Sequence, residues 1–428
     1  MSGYVYELPT TGALSFSELC TDISGSYVAQ LANATEVRAN VRTVLKASKR
    51  TDTSERDYLK VVKMSIYQPI FSWRTTLSTH TLGTEPPRLD VHGLHAELAF
   101  ILLTTAYALS NLSAASVASL GTYERDRSLP DAERRTKDEK LTFAIKLLCR
   151  AAGIFTHVAQ VVIPEWSKSP AASSGARPPD LTKDVVSALA KLALADAQSL
   201  TVRKLLTRSA AQSALSPGPP LPRGHPEPSL VAKLTLHTAS LYASGRSLAD
   251  TAGRKTVSQD VRKYLEEEAA LSAALAHKWL GVEAGEAGKT GEAIGYLKWA
   301  KGELEALKEG RLAKFKKGGG GADAKMKKER SVEELENVGM FLKSYQKVND
   351  SVNFQPVLSS SALQSLIPAG IPVAEEKVYE PPMPAFGPGT PDYVARHIEK
   401  LGTEDGTAAE TPEPKEDERE YGLKGSYF

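Results

Sequence analysis

Apolar residues recur at helical spacing through roughly the first 350 positions of the chain. Val37, Val41 and Val44 lie at i, i+4 and i+7 behind Thr35, which predicts an amphipathic helix with Thr35 as its N-cap. The segment 89–120 is apolar nearly all round, and this predicts a helix at the centre of a bundle. Because the chain has neither an Asn-Gly hairpin nor sustained period-two alternation, the pattern predicts an all-α fold with about nine helices.

Proline- and glycine-rich breaks separate the remaining predicted helices, which span residues 54–68, 138–163, 180–207, 229–243, 261–279, 290–308 and 331–348. Asp180 is predicted to cap one of these helices. Ser331 and Glu334 have the spacing of a capping box, which predicts that the last long helix begins at Ser331.

The pattern changes after Phe354, where prolines are too dense for a helix. We expect this part of the chain to run extended across the surface of the bundle. From about residue 385 we expect disorder, because eight acidic and two basic residues lie between Thr403 and Glu420 with almost nothing apolar.

The composition is that of an ordinary folded protein, since 41% of the 428 residues are apolar and 24% are charged. Lys and Arg number 53 and Asp and Glu 51, and a formal charge of +2 argues against a protein that grips nucleic acid. Two cysteines cannot form a disulfide framework, and the N-terminus shows no secretory signal. The chain is therefore expected to be cytoplasmic, with 94–112 as a buried core helix and not a membrane span.

Candidate catalytic and metal-binding residues are few. His92, His95 and Glu97 lie close together in the sequence, but HxxHxE matches no common zinc pattern, so an ordinary helix start is the favoured interpretation. Cys149 needs a base to act as a nucleophile, and His157 is eight positions further on, about 12 Å along a helix. The sequence thus predicts no catalytic residue, no metal site and no cofactor.

The run 314–330 combines four consecutive glycines with seven basic residues. It is not a phosphate loop, because neither GxxxxGK[ST] nor GxGxxG frames it after a strand. A solvated linker is the favoured interpretation, and contact of its lysines with acidic lipid or an acidic partner is the alternative.

The segment 277–300 resembles a single tetratricopeptide unit, with small residues at the turn and GEAIGYLKWA on the second helix. One copy does not predict a repeat array. It favours tight helical hairpins and a protein whose surfaces bind other proteins.

Five segments, in order, resemble the Bro-one domain, the boomerang-shaped helical module of Alix-like ESCRT adaptors. They are LHAELAFILLTTAYALSNLS (94–113), AIKLLCRAAGIFTHV (144–158), LAKLALADAQSL (189–200), SLVAKLTLHTASLY (229–242) and GEAIGYLKWAKGEL (291–304). Glu97 stands where this family usually has a glutamate. The resemblance implies an elongated, boomerang-like helical domain over residues 1–375, with tetratricopeptide-like hairpins, followed by an extended and disordered acidic tail over 376–428.

The segment FQPVLSSSALQSLIPAGIPVAE and the terminal GSYF resemble the fungal pH-response subgroup of this family, as does the absence of a long coiled region after the domain. The resemblance implies a non-catalytic adaptor in ambient-pH signal transduction. Such an adaptor binds the C-terminal amphipathic helix of the charged ESCRT-III subunit and brings it to the pH-signalling complex at the plasma membrane. There it promotes proteolytic activation of the pathway's transcription factor. Association with plasma-membrane or endosomal foci is expected through partners only.

The family's ESCRT-III patch corresponds to identifiable positions of this sequence. The family patch has one aromatic position and two aliphatic positions that are four residues apart. They match Thr201, Leu230 and Leu234 of this sequence. Because Thr201 is not aromatic, the aromatic anchor is weakened or is supplied by Leu200. Leu230 and Leu234 share one helical face, and burial of both against the core is the alternative. The flanking candidates are the apolar Leu194 and Leu241, with Lys233 and Arg203 to meet acidic residues of the partner helix.

Two other functions stay open. One is a general endosomal cargo-sorting adaptor of the same fold. The result that would favour it is a deletion strain that adapts normally to pH but has defective vacuolar sorting. A helical hydrolase or transferase is the other, and it needs His, Asp or Ser groups converging in a deep cleft. Direct pH sensing by the eight scattered histidines is disfavoured, because a cytosolic protein does not meet ambient pH.

Overall fold

The computed structural model describes residues 3–19, 28–50, 72–79, 87–90, 94–168, 177–251, 257–315 and 322–382. Two compact units divide the chain, Met1–Tyr379 and Glu380–Phe428. The α-helices confirm the all-α prediction and are α1 (Phe16–Leu19), α2 (Val28–Arg50), α3 (Leu94–Ala118), α4 (Asp131–His157), α5 (Ile163–Lys168), α6 (Lys183–Leu215), α7 (Pro228–Thr251), α8 (Gln259–Glu286), α9 (Thr290–Phe315), α10 (Ala322–Val348) and α11 (Ser360–Gln364).

Helix α3 lies inside the larger hydrophobic core, as its apolar composition predicts. Its most buried side chains are at most 1% exposed, and they include Ala99, Leu103, Ala106 and Tyr107. The alanines let α4 pack closely against α3, while the larger side chains fill the space around the contact. Each fully buried Leu contributes about 1.5–3 kcal/mol relative to exposure, so this helix is a main source of stability.

Three helical spans are long and apolar enough to cross a membrane, judged by length and composition alone: His95–Arg125, Asp131–Lys168 and Lys183–Leu215. Between 61% and 78% of their most apolar windows is buried inside the protein. These apolar residues pack against one another in the bundle, in agreement with the prediction that 94–112 is a core helix.

Helices α6 to α10 pack as successive antiparallel neighbours, each against the next. The turn between α8 and α9 contains Gly288 at φ +75°, a conformation that favours glycine. Gly281 of α8 faces α9 so closely that a Cβ there would lie 2.8 Å from Cγ of Leu297. The resemblance of 277–300 to a tight helical hairpin is thus confirmed in geometry.

The helical hairpin of α9 and α10 is longer than predicted. Helix α9 continues to Phe315, and α10 begins at Ala322 instead of Ser331. Ser331 therefore lies within the helix and is 1% exposed, so the predicted capping box is wrong. Ala, Lys, Met and Glu fill this region and are strong helix formers, and their propensity extends the helix toward the glycines.

Beside the helices, the described residues contain one short two-stranded sheet. Strand β1 (Ser72–Arg74) pairs antiparallel with β2 (Arg88–Asp90), with Trp73 opposite Leu89. Each strand has three residues, too few for an alternating pattern to stand out from the sequence. The predicted helix at 54–68 and the predicted disorder after residue 385 lie outside the described residues.

Asp180 does not cap α6, contrary to the prediction. It lies in a single 3₁₀ turn, Pro179–Leu181, and its carboxylate accepts the backbone N–H of Thr76 at 3.0 Å and of Leu77 at 3.3 Å. The side chain is buried, and burial raises its pKa to about 6. Asp180 therefore holds the segment after β1 against the helical core.

Candidate partner-binding surface

The candidate surface lies on α4, α6 and α7. Helix α6 packs against both of the others. Lys204 of α6 donates from Nζ to Oγ1 of Thr142 on α4 at 2.7 Å, which ties these two helices together at the surface. The positions that correspond to the family patch lie on α6 and α7.

Residues 370–379 cross these helices, and we call them the crossing segment. The N–H of Ile371 donates to the carbonyl of Lys233 on α7 at 3.1 Å, and the N–H of Lys377 donates to that of Cys149 on α4 at 2.9 Å. Residues 367–382 form neither helix nor strand, in agreement with the prediction of a non-helical segment that crosses the bundle surface.

Gln198 of α6 holds the middle of the crossing segment. Its side chain is fully buried, and its Oε1 accepts the N–H of Val373 at 3.0 Å and of Ala374 at 2.9 Å. Its Nε2 donates to the carbonyl of Ile371 at 2.9 Å. The side-chain amide of Gln198 thus supplies the hydrogen-bond partners that a neighbouring strand would give the backbone of this segment in a sheet.

Replacing Gln198 with leucine removes these three hydrogen bonds while keeping similar volume. We expect amide exchange at Val373 and Ala374 to accelerate by at least about tenfold, because the segment opens locally without global unfolding. Gln212→Leu, at an exposed position of the same helix, is the matched control. Unchanged exchange rates in the Gln198 variant would show that the amide does not hold the segment.

The predicted leucines do not form one exposed stripe. Leu200, Leu234 and Leu241 are buried, at 1%, 3% and 7% exposure. For Leu234 this is the alternative stated above, in which the side chain packs against the core. Leu234 is buried where Gln198 Nε2 approaches its carbonyl at 3.4 Å, next to the crossing segment. Leu230 is half-buried and reaches the surface, and Leu194 is half-buried against the larger core. Of the apolar candidates, Leu230 is the one best placed for a partner contact.

The predicted cations differ in their availability. Arg203 donates from Nε and Nη2 to the two carboxylate oxygens of Glu124, both at 3.0 Å, and lies over the ring of Tyr123. Its charge is therefore paired within the chain, and contact of Arg203 with an acidic partner stays a prediction. Lys233 is half-buried on α7, beside the crossing segment, and stays a candidate. Thr201 is half-buried, and its hydroxyl donates to the carbonyl of Ala197 at 2.9 Å.

Three exposed apolar residues of this region were not predicted from the sequence. Phe143 of α4 is 49% exposed, and it directly follows Thr142, which Lys204 of α6 contacts. Ile371 and Val373 of the crossing segment are 38% and 52% exposed. A signal for Phe143 exists in the sequence, since it is an aromatic residue on the polar face of an amphipathic helix. The exposed basic residues on that face are Lys140, Lys146 and Arg150.

The surface lacks an activated nucleophile among the residues described. Burial raises the pKa of the Cys149 thiol, which favours the neutral thiol. Among the described residues no cluster of three His, Cys, Asp or Glu side chains is arranged to hold a metal ion. Glu97 accepts a hydrogen bond from Trp73 Nε1 at 2.6 Å, His95 is exposed, and His92 lies outside the described residues.

The fold and this surface define a class of helical adaptor, and the family comparison agrees. Residues 26–384 match the model of the BRO1-like domain, so the chain belongs to the BRO1-like domain family, the Bro-one module named above. The solved structure "ALIX BRO1 CHMP4C complex" superimposes with a TM-score of 0.58 at 16% identity, covering 90% of this chain and 98% of that one. "Structure basis for endosomal targeting by the Bro1 domain" gives a TM-score of 0.55 at 14% identity, covering 94% and 98%. At these identities the likeness establishes the fold.

Within this family the chain is similar to the palC group. It is 32% identical to the pH-response regulator protein palC of Cryptococcus neoformans, over the whole length of both chains. It is 29% identical to the protein of the same name from Emericella nidulans, over 70% of this chain and 68% of that one. The resemblance to a pH-response subgroup of the Bro-one family is therefore confirmed.

Proposed function

We propose that this protein is a non-catalytic adaptor in ambient-pH signalling that binds the C-terminal amphipathic helix of an ESCRT-III subunit. In this role it recruits the subunit to the pH-signalling complex at the plasma membrane and promotes proteolytic activation of the pathway's transcription factor. Two comparisons support the proposal: the palC relatives are named pH-response regulators, and one structural neighbour is a BRO1 domain in complex with CHMP4C. The larger unit, Met1–Tyr379, would act as the adaptor domain, and the protein is cytoplasmic until its partners recruit it.

The observation that carries the proposal is the exposure of Phe143 on α4 and of Ile371 and Val373 on the crossing segment, with the half-buried Leu230 on α7. An amphipathic helix binds by placing apolar side chains at i, i+3, i+4 and i+7 into such a surface. Phe143 supplies the aromatic contact that Thr201 cannot, from α4 instead of α6. Lys146 and Lys233 flank the apolar residues and suit a partner helix with acidic positions.

The expected affinity is modest. Burying about 400 Å² of apolar area gives about 10 kcal/mol at roughly 25 cal/mol per Å². Association costs about 4–15 kcal/mol, which leaves a micromolar or weaker complex. A transient contact of this strength suits an adaptor that must release its partner.

The test is fluorescence anisotropy with a labelled peptide of the ESCRT-III C-terminal helix. Phe143→Asp together with Leu230→Asp is expected to weaken binding by about tenfold or more, because each change places a charge in the apolar contact. Val352→Asp, which changes a residue 69% exposed beyond α10, is the matched control and should bind like the wild type. Equal affinity of a correctly folded double variant and the wild type would contradict the surface assignment. Leu234 is unsuitable for this test, since aspartate at a position 3% exposed would disturb folding.

General endosomal sorting is the second candidate, because one structural neighbour is described as targeting endosomes through its Bro1 domain. A deletion strain separates the two functions. Failure to grow at alkaline pH with intact vacuolar sorting supports pH signalling, and the reverse pattern supports sorting.

A further inference from the structure

The hairpin of α9 and α10 carries its positive charge at one end. The two helices are antiparallel neighbours, so the end of α9 and the start of α10 lie at the same end of the hairpin. We call residues 308–315 and 322–330 the hairpin tip. The tip has seven basic and three acidic residues, a net charge of 7 − 3 = +4.

The rest of the same hairpin is weakly acidic. Residues 290–307 contain two basic and three acidic residues, and residues 331–348 contain the same numbers, so each has a net charge of 2 − 3 = −1. Ion pairs in this part hold the helices to their neighbours, as between Lys278 of α8 and Glu334 of α10 at 2.8 Å. The tip instead carries an excess of positive charge, which favours a nearby anionic surface.

We propose that the hairpin tip binds the anionic surface of a membrane. Clusters of four to eight Lys and Arg on a helix suit a dense layer of negative headgroups, and each basic residue close to such a layer strengthens binding about fivefold. Leu312, Phe315 and Met326 are interspersed among the basic residues of the tip, and apolar residues in such a pattern suit the boundary between headgroups and acyl chains. The tip lies on different helices from the partner surface of α4, α6 and α7, so both can be occupied at once.

The test is co-sedimentation of the full chain with vesicles of phosphatidylcholine alone or with about 30 mol% phosphatidylserine. The tip variant is Lys314→Glu, Lys325→Glu and Lys328→Glu. The matched control is Lys298→Glu, Lys343→Glu and Lys347→Glu, which makes the same charge change at exposed positions of the same two helices outside the tip.

We expect the wild type to bind the anionic vesicles only. This binding should be weakened by at least about tenfold in the tip variant and by less than about twofold in the control. A further variant with the three tip lysines changed to glutamine guards against misfolding and should also weaken binding.

Two results overturn the proposal. One is equal binding of the wild type and the folded tip variants. The other is failure of the wild type to bind the anionic vesicles. The affinity of the tip variants for the ESCRT-III peptide is measured in parallel and should stay unchanged, which keeps this proposal independent of the proposed function.

Discussion

Replacing Gly153 with alanine is expected to lower the free energy of unfolding by about 2 kcal/mol and to lift the crossing segment from α4. A Cβ at this position would overlap the carbonyl oxygen of Lys377, which is backbone and cannot rotate away. Alanine gains about 0.5–1 kcal/mol over glycine in a helix, but overpacking costs about 1–3 kcal/mol, and the bond from Lys377 N–H to the Cys149 carbonyl is lost as well. The loss outweighs the gain. Urea denaturation and amide exchange at Lys377 measure both effects.

Two other glycines provide the control. At Gly302 in α9 and Gly339 in α10, the Cβ of an alanine would have no neighbouring atom within 4 Å, so alanine should fit without strain. We expect each of these alanine variants to gain about 0.5–1 kcal/mol. If Gly153→Ala is stabilised to the same degree, the crossing segment does not pack on α4 as described.

The helical fold could be predicted because its signal is local. The segment that forms α3 is apolar on every side, and any arrangement that hides it must place it in the core. Helix ends were harder to predict. Helix α10 extends back to Ala322 because the residues there have high helix propensity, whereas the neighbouring glycines and lysines favour a linker. The strands β1 and β2 depend on contacts with distant residues, such as that of Trp73 with Glu97, and three-residue strands carry no periodic signal of their own.

The candidate surface could be predicted only in part, for a similar reason. Helical spacing shows that Leu230 and Leu234 share a face, but it does not say which of them the rest of the chain covers. The crossing segment decides this, and it follows α7 by more than a hundred residues in the sequence. Arg203 likewise could not be recognised as paired, because its partner Glu124 lies 79 positions earlier. Contacts of this kind are set by tertiary packing.

Glu97 is a buried carboxyl group whose surroundings favour its neutral form. It lies on α3 at 2% exposure and accepts a hydrogen bond from Trp73 Nε1 at 2.6 Å. Burial raises its pKa from 4.5 to about 7, while the hydrogen bond from Trp73 and the nearby charge of Arg38 partly oppose this effect. The folded chain therefore binds a proton at Glu97 more tightly than the unfolded chain does.

This difference makes stability depend on pH. Because the folded pKa is raised, the contribution of Glu97 is fully present below about pH 4.5 and is lost as the pH rises through about 7. With a pKa of 4.5 in the unfolded chain and about 7 in the folded chain, the free energy of unfolding falls by about 2.5 kcal/mol between pH 5 and pH 8. We expect the wild type to lose about this much stability relative to Glu97→Gln over that range, since glutamine keeps an oxygen acceptor for Trp73 and does not titrate. Urea denaturation of both proteins at pH 5, 6, 7 and 8 measures the difference, and parallel stability curves would show that Glu97 is ionised in the fold throughout.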